Sequence, residues 1–455
     1  MALKGTDIVK KLPEGGKKNC RECGFPTCFA FAMKLASAGV SLDKCPHLAA
    51  DIKEELAEAL APPIKLVTIG TGDNALKIGE EEVVYRHEKT FIHQPGIALL
   101  ISDNESDADI DAKTKKILEM QFSWVGVTLK ANLVALKNDS GDKGKFTALI
   151  NKVTGSVDLP VMLMSDNADN LLEAYNTCKE KNPLLYTIDK DNIDKIIVGI
   201  KDNPVPVVVK APSVEELVPM TLKLKEAGIL DMVLDPISMT FADAVKNQTL
   251  IRRAALKQNF RALGYPTIGV PGLMTEDPLR EMALAAMYII KYPGIIVLSD
   301  FDAEMLLPLL VQRLNIYTDP RIPMSVEEKV YAVGEPNEDS PVLITSNWAL
   351  TYFIVASEVE GSKVDAWLVV KDTEGLGVLT GWAAGKFSGD SIGPYIKKSD
   401  IEGKVKHRKL IIPGKVARIK GELEEALPGW EIIVGPREAS EIPSYLPALI
   451  KQWKN

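Results

Sequence analysis

Short apolar runs recur through the middle of the chain, at 97–101 (IALLI), 133–137 (LVALK), 160–165 (PVMLMS), 183–187 (PLLYT), 205–210 (VPVVVK), 230–234 (LDMVL), 267–270 (TIGV) and 294–299 (GIIVLS). Runs this short and this uniformly apolar suit strands buried on both faces, and mostly helical patterns separate them. Eight such strands alternating with helices predict a (β/α)8 TIM barrel, with a doubly wound sheet as the alternative. Polar residues follow the strands: Ser102-Asp103-Asn104, Ser165-Asp166-Asn167, Asp189, Lys210, Asp235-Pro236 and Ser299-Asp300. In a barrel they fall on the C-terminal rim, where ligands approach. Asp and Asn also begin helices by capping free N–H groups, which is the simpler reading for most of them.

The flanks read differently. Phe29 to Ala36 forms a helical pattern ending at Gly39, and Asp51 to Leu60 forms a second, stopped by Pro62-Pro63. Lys65 to Gly70 and Glu82 to Tyr85 read as short strands around a Gly-rich turn, a lid on the middle of the chain. Gly70-Thr71-Gly72 lacks the helix and spaced glycines of a nucleotide site.

After Pro320-Arg321-Ile322-Pro323 the pattern changes again. Pro341 to Ile344 and Ala366 to Val370 read as strands around a helix, Leu350 to Glu358, and the glycines of Asp372 to Trp382 suit a loop lying close to a bulky ligand. Arg418 to Glu425 and Trp430 to Val434 add a helix and a strand that ends in a small-residue loop. Strand ends of such an α/β sheet form a crevice, so Thr345, Thr373 and Gly375 are the first candidates for ligand contact. The expected divisions are 1–60, 61–324 and 325–455.

With 455 residues and 46% hydrophobic composition, the chain has material for more than one core. A formal charge of −8 disfavours a nucleic-acid partner. No apolar leader follows Met1 and no run of about 18 apolar residues would cross a bilayer, so a soluble cytoplasmic protein is expected.

Four of the five cysteines, Cys20, Cys23, Cys28 and Cys45, lie in the first 45 residues, while Cys178 stands apart. Gly24 and Pro26 let the intervening loop bend around a metal centre, and Cys45-Pro46 is similar to the ending of many cluster motifs. The asymmetric spacing differs from the paired knuckles of zinc ribbons and points to a [4Fe-4S] cluster; zinc and disulfides are the alternatives. His47 then reads as a surface or outer residue.

Together, the cysteine set, the barrel-like middle and the Thr345-Ser346-Asn347 and Asp372-Thr373-Glu374-Gly375 segments resemble the large (gamma) subunit of the corrinoid iron-sulfur protein of the acetyl-CoA (Wood-Ljungdahl) pathway. The resemblance spans essentially the whole chain. It implies an N-terminal [4Fe-4S] domain, a central TIM barrel and a C-terminal Rossmann-like α/β domain that binds a base-off cobamide. It implies a methyl carrier that accepts a methyl group on Co(I) from methyltetrahydrofolate held by a separate methyltransferase, and delivers it to acetyl-CoA synthase/CO dehydrogenase. The cluster would reactivate Co(II). A small subunit completing a heterodimer and a low-potential electron donor or reductive activator are the further partners implied.

By the same resemblance, Thr345, Thr351, Thr373, Glu374, Gly375, Leu376, Gly377, Val378, Thr380, Gly381 and Ala439 would meet the cobamide. No residue is assigned general acid or base work, Asp372 and Glu374 included. The chain has only four histidines, and His407 lacks the Asp-x-His-x-x-Gly context of a lower cobalt ligand, so it is expected to be a charged surface residue. The competing function is an iron-sulfur electron-transfer subunit without a corrinoid.

Overall fold

The computed structural model describes residues 4–37, 39–124, 127–319 and 323–453. Contacts divide the chain into two compact units, Met1–Phe122 with Leu129–Tyr317, and Ser123–Thr128 with Thr318–Asn455. Pro320, Arg321 and Ile322, where the sequence pattern changes, lie outside the described residues, as do Met1, Ala2 and Leu3.

The first unit contains eight parallel strands: β1 (Gly96–Ser102), β2 (Leu133–Lys137), β3 (Val161–Met164), β4 (Leu184–Ile188), β5 (Val207–Lys210), β6 (Met232–Asp235), β7 (Ile268–Gly269) and β8 (Ile295–Leu298). Their order is β6-β5-β4-β3-β2-β1-β8-β7. One parallel bridge, Leu234 to Thr267, joins the two ends into a ring. This is the TIM-like barrel that the apolar runs predict. Helices between the strands start where side chains can satisfy free amides: Asp142 accepts from Lys145 N at 2.8 Å and Asn167 from Asp169 N at 2.8 Å. Such caps contribute about 1 kcal/mol each.

Alternate residues of each strand fill the barrel, among them Ala98, Leu133, Ala135, Met162, Leu184, Val208, Val233, Ile268, Ile295 and Val297. The same core holds Val67, Ile69, Leu76 and Ile78, from a hairpin of Val67–Ile69 and Leu76–Ile78. Gly96 and Gly294, at the starts of β1 and β8, face Leu76 and Ile78, so the hairpin plugs the N-terminal mouth. The expected strand at Glu82 to Tyr85 is corrected here. Leu76 and Ile78 point into the core while Lys77 is exposed, the alternation a half-buried strand requires, whereas Glu82 to Tyr85 carries no strand.

At the N-terminus, the helices Gly5–Lys11, Cys28–Ala36 and Ala50–Leu60 share a small core of Ile8, Leu12, Phe31, Ala32, Leu35 and Leu56. Arg261 grips the exit from this module: its guanidinium donates to the carbonyls of Ala61 (3.0 Å), Pro62 (2.9 Å) and Ala59 (3.2 Å). Three carbonyls left over at a helix end and a proline turn thereby gain donors.

The second unit is built on β9 (Val330–Val333), β10 (Val342–Ser346), β11 (Ala366–Lys371), β12 (Lys409–Ile412) and β13 (Glu431–Val434), in the order β9-β11-β10-β12-β13. Strand β9 is antiparallel to β11 and the other neighbours are parallel. Val342, Ile344, Leu410 and Ile412 face one core, while Leu343, Leu368 and Ile411 face the other. From β10 the chain moves to β11 on one side and later to β12 on the other. Strand ends therefore diverge at β10/β12, the place where α/β sheets bind ligands. Among the described residues, no helix is long and apolar enough to cross a membrane.

Candidate functional site

All four N-terminal cysteines line one small pocket, together with Leu12, Lys18, Asn19, Arg21, Phe25, Phe31 and His47. Asn19 and Arg21 take positive φ of 44° and 68°, and Gly24 takes 84°. That alternation permits successive backbone amides to face a common concavity, as anion-binding nests do. Asn19 Oδ1 accepts from Cys28 N at 2.8 Å, and Thr27 Oγ1 caps the following helix through Ala30 N at 3.1 Å. Cys28 is thus fixed at a helix start. None of the four is in a disulfide.

Among the described residues, the one trio of Cys, His or acidic groups with ligand atoms mutually within 4.8 Å is Cys20, Glu22 and His47. Four thiolates could bind a tetrahedral zinc or an iron-sulfur cluster, and this pocket brings all four to one place. His47 Nε2 lies 3.0 Å from Glu22 Oε1, which places it at the pocket rim beside Cys20.

In the second unit, a cavity of about 350 Å³ opens at the C-terminal ends of β10, β12 and β13. Thr345 and Trp348 come from the end of β10, Pro413 and Lys415 from β12, and Gly435 to Ala439 from β13. Ile344, Ile354, Val355, Ile411 and Ile412 make its floor apolar. Thr345 is 1% exposed, and its hydroxyl has no hydrogen-bond partner. An unpartnered buried hydroxyl costs roughly 1–3 kcal/mol, which a polar group on a ligand would recover. At the mouth Lys415 pairs with Glu438 at 2.8 Å, and Arg437 lines the wall.

Of the expected contact residues, Thr345, Thr351, Gly377, Val378, Thr380 and Ala439 line this cavity. Thr373, Glu374, Gly375, Leu376 and Gly381 are not among its lining residues. Thr373 is fully buried, its hydroxyl 2.6 Å from Leu376 O, and Glu374 pairs with Lys386. Gly375 has φ 74°, and a Cβ there would lie 2.9 Å from Pro323 O, so glycine is needed for the turn itself. The Asp372 to Trp382 loop is shorter than expected, because Val378–Ala383 is helical. Its start lets Gly377 approach Trp348 closely.

Three features escaped the sequence reading. Asn347 holds the loop after β11: its Oδ1 accepts from Thr373 N, Thr373 Oγ1 and Gly375 N, each at 3.0 Å, while Nδ2 donates to Asp372 Oδ1 at 2.8 Å. Pro413 and Lys415 follow β12, a strand hidden by its charged leader Lys406-His407-Arg408-Lys409. His407 is half-buried rather than on the open surface: its Nε2 lies 2.9 Å from Ser340 O, and its Nδ1 accepts from Lys409 N at 3.3 Å. No histidine is among the cavity's lining residues.

The barrel's polar rim is largely self-satisfied. Asp103 accepts from Asn138 Nδ2 (2.6 Å) and from Ser140 N (2.8 Å), and Asp189 from Asp191 N (2.9 Å) and Asn192 N (3.0 Å). Asp235, 4% exposed, accepts from Tyr186 OH at 2.7 Å and Ile237 N at 3.0 Å.

The chain has clear relatives among known proteins. The family described as CO dehydrogenase/acetyl-CoA synthase delta subunit matches residues 66–446, and one described as a putative Fe-S cluster matches 16–47, a span that includes all four cysteines. The chain is 42% identical over 445 residues, covering 98% of each, to the corrinoid/iron-sulfur protein large subunit of Moorella thermoacetica. It is 37% identical to the acetyl-CoA decarbonylase/synthase complex subunit gamma of Methanopyrus kandleri, over 98% of this chain and 97% of that one. Among solved structures, the dihydropteroate synthase of Thermus thermophilus gives a TM-score of 0.39 at 15% identity, over 55% of this chain and 100% of that one.

Proposed function

The chain belongs to the family of the corrinoid/iron-sulfur protein large subunit and the acetyl-CoA decarbonylase/synthase gamma subunits, and from that membership we propose that it is a corrinoid methyl carrier of the acetyl-CoA (Wood-Ljungdahl) pathway. As such it is the corrinoid component of a methyltransferase system. The observation that carries the reading is the unpartnered Thr345 hydroxyl, buried in an apolar cavity at a strand switch point, in a chain that also gathers four free cysteines.

A base-off cobamide is larger than this cavity of about 350 Å³, which would take one part of it and leave the rest outside this wall. When bound, it supplies a cobalt centre able to take a methyl group from methyltetrahydrofolate and release it to acetyl-CoA synthase. The chain's part is binding and access. Thr345 would offer its hydroxyl to a corrin amide, while Gly377 and Gly435 let the lining backbone pack against Trp348 and Ile411. Ile344, Ile354 and Ile411 would exclude water from the bound group, and no histidine is among the lining residues. Lys415 and Arg437, which also line the cavity, would supply positive charge to a nucleotide tail.

Cys20, Cys23, Cys28 and Cys45 would hold a [4Fe-4S] cluster; they line one pocket and fall within the span matched by the putative Fe-S cluster family. That cluster supplies single electrons of low potential to restore a carrier that has lost one. Residues 1–60, 61–324 and 325–455 then act as cluster domain, scaffold barrel and cobamide domain, in a reducing cytoplasm. A small partner subunit, a separate methyltransferase, acetyl-CoA synthase and an electron donor complete the assembly.

Metal content decides the matter. Protein purified anaerobically and reconstituted with cobamide should carry about four iron and one cobalt per chain, with both chromophores in its visible spectrum. Iron without cobalt would favour an electron-transfer subunit instead.

A further inference from the structure

The segment around the cysteines is locally basic: residues 4–48 contain eight Lys or Arg against four Asp or Glu, a net of +4 in a chain whose total is −8, and the acidic helix Ala50–Leu60 brings the whole module, residues 1–60, to +1. The segment's acids are mostly engaged: Asp7 with Lys10, Glu22 with His47, and Asp43 with Lys53. Lys17, Lys18 and Arg21 are exposed and, among the described residues, have no acidic partner. These three cations bracket Cys20, and Lys18 and Arg21 line the cysteine pocket. Phe29, next to Cys28 in sequence, is 52% exposed.

We propose that this rim is the docking face for an acidic one-electron iron-sulfur carrier of the ferredoxin type. The inference rests on the four cysteines holding a cluster and adds where its electron enters. One electron leaves the carrier, which is oxidised, and reaches the cluster, which is reduced; no bond is made or broken and no proton moves. Positive charge beside the electron's entry point steers an acidic partner and fixes its orientation, while a small, polar contact lets it leave after transfer. A charge belt that served only to offset the cluster's own negative charge would act on the potential and not on the encounter.

Stopped-flow bleaching of the cluster separates these. Reduced acidic two-cluster ferredoxin and a low-potential viologen radical cation are each mixed with full-length wild type, the Lys17→Glu/Lys18→Glu double variant, and Lys246→Glu as a surface control. The double variant should lose at least tenfold in second-order rate with ferredoxin at low salt, and its salt dependence should flatten. Its viologen rate should hold or rise, and the control should match wild type with both. A ferredoxin rate within twofold of wild type overturns the assignment, as does an equal fall with both reductants, which also exposes a misfolded module. Wild type without a bleachable band removes the cluster reading and the docking face with it.

Discussion

Asn347 Oδ1 stands 3.0 Å from both the backbone nitrogen and the hydroxyl of Thr373, so one side chain at the end of β10 clamps the loop that follows β11. Because Asn347 is only 4% exposed, water cannot readily replace it. Asn347→Ala should strand two buried amides, at a cost of roughly 1–3 kcal/mol. Hydrogen exchange in the cofactor-free protein should speed at least tenfold at Thr373 and Gly375, with β10 and β11 unchanged. Unaltered exchange at both sites would show the clamp to be dispensable.

Thr345→Val should act with opposite signs in two measurements. Removing an unsatisfied buried hydroxyl without changing shape stabilises the empty protein by about 1 kcal/mol. The same change should weaken cobamide retention several-fold, read from cobalt remaining after gel filtration. Loss of stability together with unchanged retention would mean the hydroxyl faces a protein partner.

Cys23→Ala is expected to leave methylated cobalt able to donate once, while recovery from Co(II) with the physiological reductant is lost. Recovery at the unmodified rate would dismiss the cluster as the repair centre. His407→Ala, by contrast, should leave the Co(II) electron resonance signal unchanged, since both ring nitrogens are already bonded within the protein. A gain or loss of nitrogen splitting would contradict a base-off cobamide.

Burial pushes the Asp235 carboxyl above the ordinary range, against the opposing pull of the Tyr186 hydroxyl and the Lys210 charge. A carboxyl whose folded pKa exceeds its unfolded value, about 3.9, binds protons better in the folded chain. Its contribution to stability is therefore fully present below that unfolded value and is lost as pH rises through the folded pKa. Asp235→Asn, which keeps shape and can still bond Tyr186 and Ile237, should melt a few degrees above wild type at pH 7. The gap should close as pH falls toward 4. A gap that widens in acid would reverse the assignment.

Much of this architecture was legible in the residues because the barrel's strands are buried on both faces. Runs such as Leu133 to Leu136 and Ile295 to Leu298 leave no amphipathic ambiguity. Strand β12 was not, since His407 to Lys409 disguises the start of Leu410 to Ile412, and with it went Pro413 and Lys415 of the cavity wall. The cysteine pocket needed only spacing. The split between cavity-lining Gly377 and supporting Gly375 needed three dimensions: both are loop glycines, yet one approaches Trp348 and the other turns against Pro323.

The three carbonyls held by Arg261 set a limit on how the cysteine module can travel. With Ala59, Ala61 and Pro62 moored to the barrel, any swing has to pivot upstream of Ala59, which lies in the last turn of the helix Ala50–Leu60. Severing that anchorage would lengthen the leash without touching a single metal ligand.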